Sequence, residues 1–181
     1  MDDEQLIQQV LRGETQAFDA LVQRHQHALF FYLGRMGLCQ AEAEDLAQEA
    51  FLRAYRYLHR YDPARARFST WLFTIARRLA ANLKASSRYR LTDSMEALGE
   101  PVQSDAPGLE PRLRDRLDRA LRQLPLKFRS PLALAYLGDL SIEDIAAVEA
   151  CAPGTVKSRI HRAKQRLKRE LADLIGELDH E

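Results

Sequence analysis

The sequence lacks the features that mark disulfide-bonded, zinc-binding and membrane proteins. Cys39 and Cys151 are its only cysteines, with no CxxC pair and no Cys/His cluster, so we expect them to pack as small residues rather than to sense redox state. No apolar stretch approaches the roughly 18 residues that span a bilayer. The N-terminus, MDDEQL, is acidic where a signal peptide would be basic. We therefore expect a cytoplasmic protein without membrane insertion.

Motifs of catalysis are also missing. The chain has no Gly-rich phosphate loop, no HExxH and no GxSxG, and none of its five histidines has the spacing of an acid–base pair. We expect no catalytic residue, no metal, no cofactor and no enzyme activity. At 181 residues, with 46% hydrophobic and 29% charged residues, the chain fits one globular domain or two small ones.

Net charge is only +1, but the positive charge is concentrated. Residues 153–169 (PGTVKSRIHRAKQRLKR) hold seven Lys or Arg and no acid. Val156, Ile160 and Leu167 recur at helical spacing, which predicts an amphipathic helix with an apolar back and a basic front. A solvated face on an ordinary bundle helix is the alternative for a run of charge alone.

The residues before this helix indicate a helix-turn-helix. Ser141 precedes an apolar-periodic run, with Asp144 three residues on, which is a near capping box. We expect a first helix from there through Val148, a turn over 149–152, and Pro153 at the start of the second helix. Such a helix presents its N-terminal side chains to base edges in the major groove and its flanking cations to phosphates. The candidates are Thr155, Lys157, Ser158, Arg159, His161, Arg162 and Gln165.

A second acid-free window, residues 64–91, also holds seven Lys or Arg. On a helix, Phe68, Leu72, Ile75, Leu79 and Leu83 share the buried face; Thr70, Arg77, Ala81 and Lys84 point outward; and Trp71, Arg78 and Asn82 form one flank. An aromatic ring beside cations and an amide suits single-stranded nucleic acid, because bases can stack on the ring while phosphates pair with Lys and Arg. A core position for Trp71 is the alternative.

The helix predicted over residues 40–60 differs from both windows because its first half is acidic. An alanine-rich stripe closed by Leu58 is expected to be buried. The opposite face carries Asp45, Gln48, Glu49, Leu52 and Arg56. A single exposed Leu is unremarkable, but Leu52 among polar and acidic groups fits a docking patch for a basic partner. Acids near a helix start also complement its dipole, which accounts for Glu42 and Glu44.

Helical periodicity covers nearly all of residues 5–88, and strand alternation is missing. Residues 92–110 hold five acids, two prolines, two glycines and no Lys or Arg, which is typical of a linker. We expect an all-α fold with two helical domains, 1–91 and 111–181, joined by a flexible acidic linker at 92–110.

Four segments occur in the order and spacing of one protein family. They are AFDALVQRHQHAL, AEDLAQEAFLRAYRYL, FSTWLFTIARRLA and LPLKFRSPLALAYLGDLSIEDIAAVEACAPGTVKSRIHRAKQRL. Together they resemble the bacterial RNA polymerase sigma factors of the extracytoplasmic-function (ECF) group, the smallest members of the sigma-70 family.

The resemblance implies a role in promoter-specific transcription initiation. The face bearing Asp45, Gln48, Glu49, Leu52 and Arg56 is expected to bind core polymerase at the β′ clamp helices, with the β subunit as a further contact. Trp71, Arg77, Arg78, Asn82 and Lys84 are expected at the −10 element, and Thr155, Lys157, Ser158, Arg159, Arg162 and Gln165 at the −35 element. The resemblance also implies an anti-sigma factor that holds the protein inactive.

Arg78 departs from the family pattern, because many members have Asn there. Either Asn82 supplies the amide, or affinity for the backbone replaces selectivity for a base. Two other functions stay open at this point. One is a free-standing regulator whose helix-turn-helix binds an operator while the N-terminal helices dimerise or sense a signal, and the other is an interaction module that captures an anti-sigma factor.

Overall fold

The computed structural model describes residues 1–90, 102 and 110–172, with side chains described except at 87–90, and its regular elements are helices, as expected. Eight α-helices and one 3₁₀ turn at Leu58–Arg60 lie within those ranges. The helices are α1 (Asp3–Leu11), α2 (Ala17–Arg35), α3 (Gln40–Arg56), α4 (Phe68–Arg90), α5 (Pro111–Gln123), α6 (Leu126–Leu137), α7 (Ile142–Glu149) and α8 (Pro153–Glu170).

Local sequence signals explain where several helices begin and end. Asp2 and Gln5 form a reciprocal capping box at the start of α1, and Pro111 and Pro153 occupy the first positions of α5 and α8, where a missing N–H costs nothing. Gly37 lies just beyond the end of α2, and its φ of +82° is a left-handed conformation that glycine adopts without steric cost.

The N-terminal helices, α1 to α4, bury large apolar side chains against one another. Leu21, Leu29 and Leu72 are fully buried there, and the predicted alanine-rich stripe of α3 lies in the same core. The C-terminal helices, α5 to α8, close around Leu134 and Val156. Both groups use the amphipathic stripes that the sequence indicates.

The two groups of helices also pack against each other. Helix α2 lies against α6, and α4 lies against α7. Tyr32 of α2 is fully buried, meets Phe73 edge to face, and shares a hydrogen bond of 3.2 Å with the Ser130 hydroxyl of α6. We call this arrangement the closed form.

The predicted linker at 92–110 lies outside the described residues except for Val102 and Glu110, so its flexibility and the domain boundaries stay predictions. Val102 is buried against α2, at a point where the chain has Gly34. A Cβ on Gly34 would lie less than 3 Å from three side-chain atoms of Val102. The glycine thus leaves the space in which Val102 packs.

Candidate nucleic-acid interface

Helix α8 presents the basic face that the sequence predicts. Val156, Ile160 and Ala163 are buried against the other C-terminal helices, and Leu167 is half-buried. With that apolar back fixed, four of the expected duplex-binding side chains are exposed. They are Lys157, Ser158, Arg162 and Gln165.

Two of the six predicted −35 residues are less accessible. Thr155 is half-buried, and its carbonyl accepts a hydrogen bond of 3.0 Å from the Ser158 hydroxyl. Arg159 is also half-buried, with its guanidinium 3.8 Å from a carboxylate oxygen of Glu149. The side chain of Arg159 therefore points back toward the turn of the helix-turn-helix.

The turn of the helix-turn-helix has the predicted capping box, but it differs from the prediction at Glu149. Ser141 and Asp144 form the capping box, in which the Asp144 N–H donates to the Ser141 hydroxyl at 3.1 Å. Ala150 follows α7 in a left-handed conformation with φ of +52°. Glu149, which we placed in the turn, is instead the last residue of α7 and is buried.

On α4, the flank predicted for single-stranded DNA is partly open. Arg78 and Asn82 are exposed. Trp71 is half-buried, with its ring centroid 5.5 Å from that of Tyr61 and 6.1 Å from that of Phe68. The indole therefore packs on the N-terminal core while part of its surface stays accessible.

The outward face that we predicted for α4 is partly covered in the closed form, although Ala81 is exposed as predicted. Thr70 is only 1% exposed, so its outward placement is wrong, because α7 packs on this side of the helix. Arg77 is half-buried beside Glu149, and the Lys84 ammonium donates to the Met36 carbonyl at the end of α2. Periodicity identifies the apolar stripe of a helix but does not show which element covers its polar side.

Three ion pairs cross between the two groups of helices within the described residues. Each joins a cation from α2, α4 or the loop before α4 to an acid from α5 or α7. The pairs are Arg35–Asp118 at 2.7 Å, Arg67–Asp144 at 2.6 Å and Arg77–Glu149 at 3.3 Å. In these three pairs the N-terminal side of the interface supplies every cation, and the C-terminal helices supply every acid.

Asp144 is the most highly bonded carboxylate at this interface. It accepts hydrogen bonds from the Arg67 guanidinium at 2.6 Å and from the Thr70 hydroxyl at 2.7 Å, in addition to those from Ser141. Burial alone favours the protonated form, but the hydrogen bonds from Ser141, Thr70 and Arg67 outweigh it and hold the pKa of Asp144 below its ordinary value of 3.8. The acid is thus stabilised as a carboxylate by groups on both sides of the interface.

The exposed face of α3 has the composition that the sequence predicts. Leu52 is 51% exposed and lies beside Tyr55 at a shallow groove whose wall includes Phe18, Val22 and Phe51. Asp45, Gln48 and Arg56 are exposed, and Glu49 accepts a hydrogen bond of 2.6 Å from Arg53. An apolar patch with a polar rim is the usual anatomy of a protein–protein contact.

Sequence reasoning missed two of the three acids of α7, Asp144 and Glu149, as contacts of the N-terminal helices. Asp144 was assigned only to a helix cap and Glu149 only to a turn. Among the described residues no group of three or more His, Cys, Asp or Glu is placed to hold a metal ion. None of the described helices combines the length and apolarity that crossing a membrane requires.

The chain matches two protein-family models. Sigma-70 region 2 matches residues 21–89, and Sigma-70, region 4 matches residues 114–167. The RNA polymerase sigma-H factor of Pseudomonas aeruginosa is 37% identical over 97% of this chain and 96% of that protein. The ECF RNA polymerase sigma-E factor of Escherichia coli is 33% identical over 97% of each.

Solved structures give the same result at the level of the fold. The sigma factor RpoE of Bartonella quintana, in complex with the anti-sigma factor NepR, matches with a TM-score of 0.73 and 26% identity over 86% of this chain and 96% of that one. CnrH in complex with the cytosolic domain of CnrY matches with a TM-score of 0.67 and 26% identity over 94% and 97%. The chain therefore belongs to the sigma-70 family, as an ECF sigma factor that binds core RNA polymerase and directs promoter-specific transcription initiation.

Proposed function

We propose that the three surfaces divide the work of initiation. The α3 face binds the β′ clamp helices of core polymerase, the exposed flank of α4 melts and reads the −10 element on one strand, and α8 reads the −35 element as duplex while the β subunit holds the C-terminal helices. The protein acts in the cytoplasm by binding alone and contributes no covalent chemistry.

The exposed Leu52 carries this assignment. In a folded helix that buries its alanine stripe well, a large apolar side chain is left on the opposite face, next to a second exposed apolar group, Tyr55. Asp19 and Gln48 line the same groove, and Asp45 and Glu49 lie within two turns before Leu52 on α3. Central apolar anchors of this kind supply much of the free energy of binding at protein interfaces, and a charged rim selects the partner.

The test is the substitution Leu52→Arg. Loss of a central anchor costs on the order of 2 kcal/mol or more, about thirtyfold in affinity. We expect the variant to fail to co-purify with core polymerase and to lose transcription from a genomic fragment library, with its helicity unchanged. Leu11→Arg is the matched control, because Leu11 is 49% exposed at the end of α1.

Equal loss in both variants would show a general effect of an added surface charge. Retention of core binding by Leu52→Arg would remove the α3 face from the polymerase contact. The pair Asp45→Arg and Glu49→Arg examines the rim in the same assay and is expected to lower affinity less than the loss of Leu52 does.

We also propose that an anti-sigma factor restrains this protein by covering the α3 face. The support is the likeness of most of the chain to the sigma factor RpoE of Bartonella quintana, which was solved in complex with the anti-sigma factor NepR. Leu52→Arg is then expected to weaken capture of the anti-sigma factor as well as of core polymerase. Undiminished capture by the variant would place the anti-sigma contact elsewhere.

A further inference from the structure

Glu149 occupies a position that the roles proposed above do not use. Its side chain is only 4% exposed, at the C-terminal end of α7 where four helices meet. The Ser130 hydroxyl of α6 donates to it at 2.5 Å, and Arg77 of α4 and Arg159 of α8 lie at 3.3 and 3.8 Å. One carboxylate thus contacts a cation of each predicted DNA-binding helix.

The hydrogen bonds around Glu149 fix its orientation. Because a carboxylate only accepts and the Ser130 hydroxyl has one proton to give, the Tyr32 hydroxyl must be the donor to Ser130. The chain of bonds therefore runs from α2 through α6 to α7. Ser130 and Arg159 belong to the C-terminal helices, so they stay beside Glu149 whether or not the two groups of helices are in contact.

The contact with Arg77 is looser than that with Ser130. Its distances to the carboxylate, 3.3 and 3.4 Å, exceed the roughly 2.7–2.9 Å of a strong charge-assisted hydrogen bond. Arg77 Nε is buried and makes no hydrogen bond to any described residue. A buried carboxylate needs a cation, but Glu149 has a second one in Arg159 and does not depend on Arg77.

We propose that Glu149 is an internal competitor for promoter DNA that holds the free sigma factor closed. In the closed form its carboxylate occupies Arg77 in the place of a phosphate. When the two groups of helices separate, the carboxylate stays with Ser130 and Arg159, and Arg77 becomes available to the −10 strand. This inference rests on the proposed function, because it assigns Arg77 to the −10 contact.

The rest of the interface supports the proposal that acids of the C-terminal helices occupy cations on the N-terminal side. The other two crossing ion pairs also place an acid of the C-terminal helices on a cation of the N-terminal helices. Thr70, which lies on the same side of α4 as Arg77, is covered by α7 and donates to Asp144. The C-terminal helices thus supply the acids at every ion pair that crosses the described interface, including the one at Arg77, the predicted −10 contact.

The experiment uses the full-length chain with Glu149→Gln, which preserves shape and can still accept from Ser130 but removes the charge. Small-angle scattering reports the closed form directly, since a compact chain of this length has a radius of gyration of about 16 Å. We expect the variant to have a larger radius than the wild type. Glu143→Gln, an exposed acid in the first turn of the same helix, is the control with the same change in net charge.

Binding of a short mixed-sequence single-stranded oligonucleotide is the second measurement. If the closed form outnumbers the open one by about ten to one, opening raises the apparent affinity by up to about tenfold. We expect a rise of several-fold for Glu149→Gln beyond that for Glu143→Gln at matched salt. An unchanged radius together with equal affinities for the two variants would overturn the proposal.

Two further results keep the test decisive. If Glu149→Gln does not fold by circular dichroism, Arg77→Gln neutralises the other side of the pair, and an unchanged radius in that variant would overturn the proposal equally. Transcription by wild-type protein with core polymerase is measured in parallel. Wild-type transcription without opening of the variants rejects the internal competitor alone, whereas no wild-type transcription rejects the proposed function.

Discussion

The two cationic windows of this sigma factor are equal in sequence and unequal in structure. Each holds seven Lys or Arg and no acid. On α8, Lys157 and Arg162 are exposed, and only Arg159 among the predicted DNA contacts approaches an acid within the described residues. In the α4 window, Arg67 and Arg77 are paired with acids of α7. The number of cations in a sequence window therefore sets only an upper limit on those that can bind nucleic acid, because the fold determines how many of them are exposed.

The difference follows from where each helix sits. Helix α8 buries one apolar stripe and leaves the opposite face to solvent. Helix α4 lies between α3 and α2 on its apolar side and α7 on a polar side. A helix packed on two sides has less free surface, so its cations must find partners inside the protein or lose hydration without compensation.

The largest expected effect comes from the exposed surface. Lys157→Ala with Arg162→Ala is expected to weaken transcription at promoters that depend on an upstream duplex element, because each lost base or phosphate contact costs roughly 1–3 kcal/mol. Templates with a pre-opened −10 bubble should not restore activity. Lys168→Ala, an exposed cation in the last turn of α8, is the control. Rescue by the bubble would assign α8 to melting instead.

A smaller effect is expected from substitutions on α4, and unlike those on α8 it should be rescued by a pre-opened template. Arg78→Ala and Asn82→Ala should allow the closed promoter complex to form but slow its melting, and an artificial bubble should restore activity. Both residues are exposed, so the fold is expected to tolerate the substitutions, whereas Trp71 packs on Tyr61 and Phe68 and its loss would also disturb the core. Failure of the bubble to rescue either variant would contradict this assignment.

Arg67→Ala examines the closed form with a weaker perturbation than that at Glu149. Arg67 is more than half exposed, so its ion pair with Asp144 contributes at most about 1 kcal/mol, or fivefold in the closed–open ratio. We expect a modest rise in the affinity of the free protein for single-stranded DNA. Arg65→Ala is the matched control, because Arg65 pairs with Asp62 in the same loop. A larger rise for the control would show that loop charge, and not the interface, sets the affinity.

The smallest effect is expected from pH. The pKa of Asp144 is lowered in the closed form, so its contribution to stability is fully present above 3.8 and is lost as the pH falls from 3.8 through the lower value. Scattering between pH 5 and 3 should show the radius of gyration rising at the acid end. Asp144→Asn should have the larger radius throughout and a weaker dependence on pH. An identical pH profile in both proteins would assign the transition to other carboxyls.

The sequence was sufficient for several features that depend on one helix at a time. It predicted the start of α8 at Pro153, the capping box at Ser141, the buried stripe of α8 and the exposure of Leu52, and the structure confirms each. These features follow from local propensities and from the period of apolar residues.

What the sequence did not predict depends on how separate helices meet. Thr70 is polar and off the apolar stripe of α4, so its pattern indicates exposure, but α7 covers it because Asp144 offers its hydroxyl an acceptor. Glu149 is a charged residue at a helix end, where most are solvated. Its carboxylate contacts Ser130 and Arg77, which lie 19 and 72 positions away, and no local pattern contains such information.

The sorting of charge across the interface also affects how the protein searches a genome. Chromosomal DNA offers about 10⁶ or more competing non-specific sites, each attractive to cations regardless of its sequence. A free sigma factor whose cations on one domain are already satisfied by acids on the other gains less from any such site. More of the cellular pool then stays in solution and able to meet polymerase. We therefore expect the three crossing ion pairs of the closed form to shorten the unproductive residence of the free protein on the chromosome.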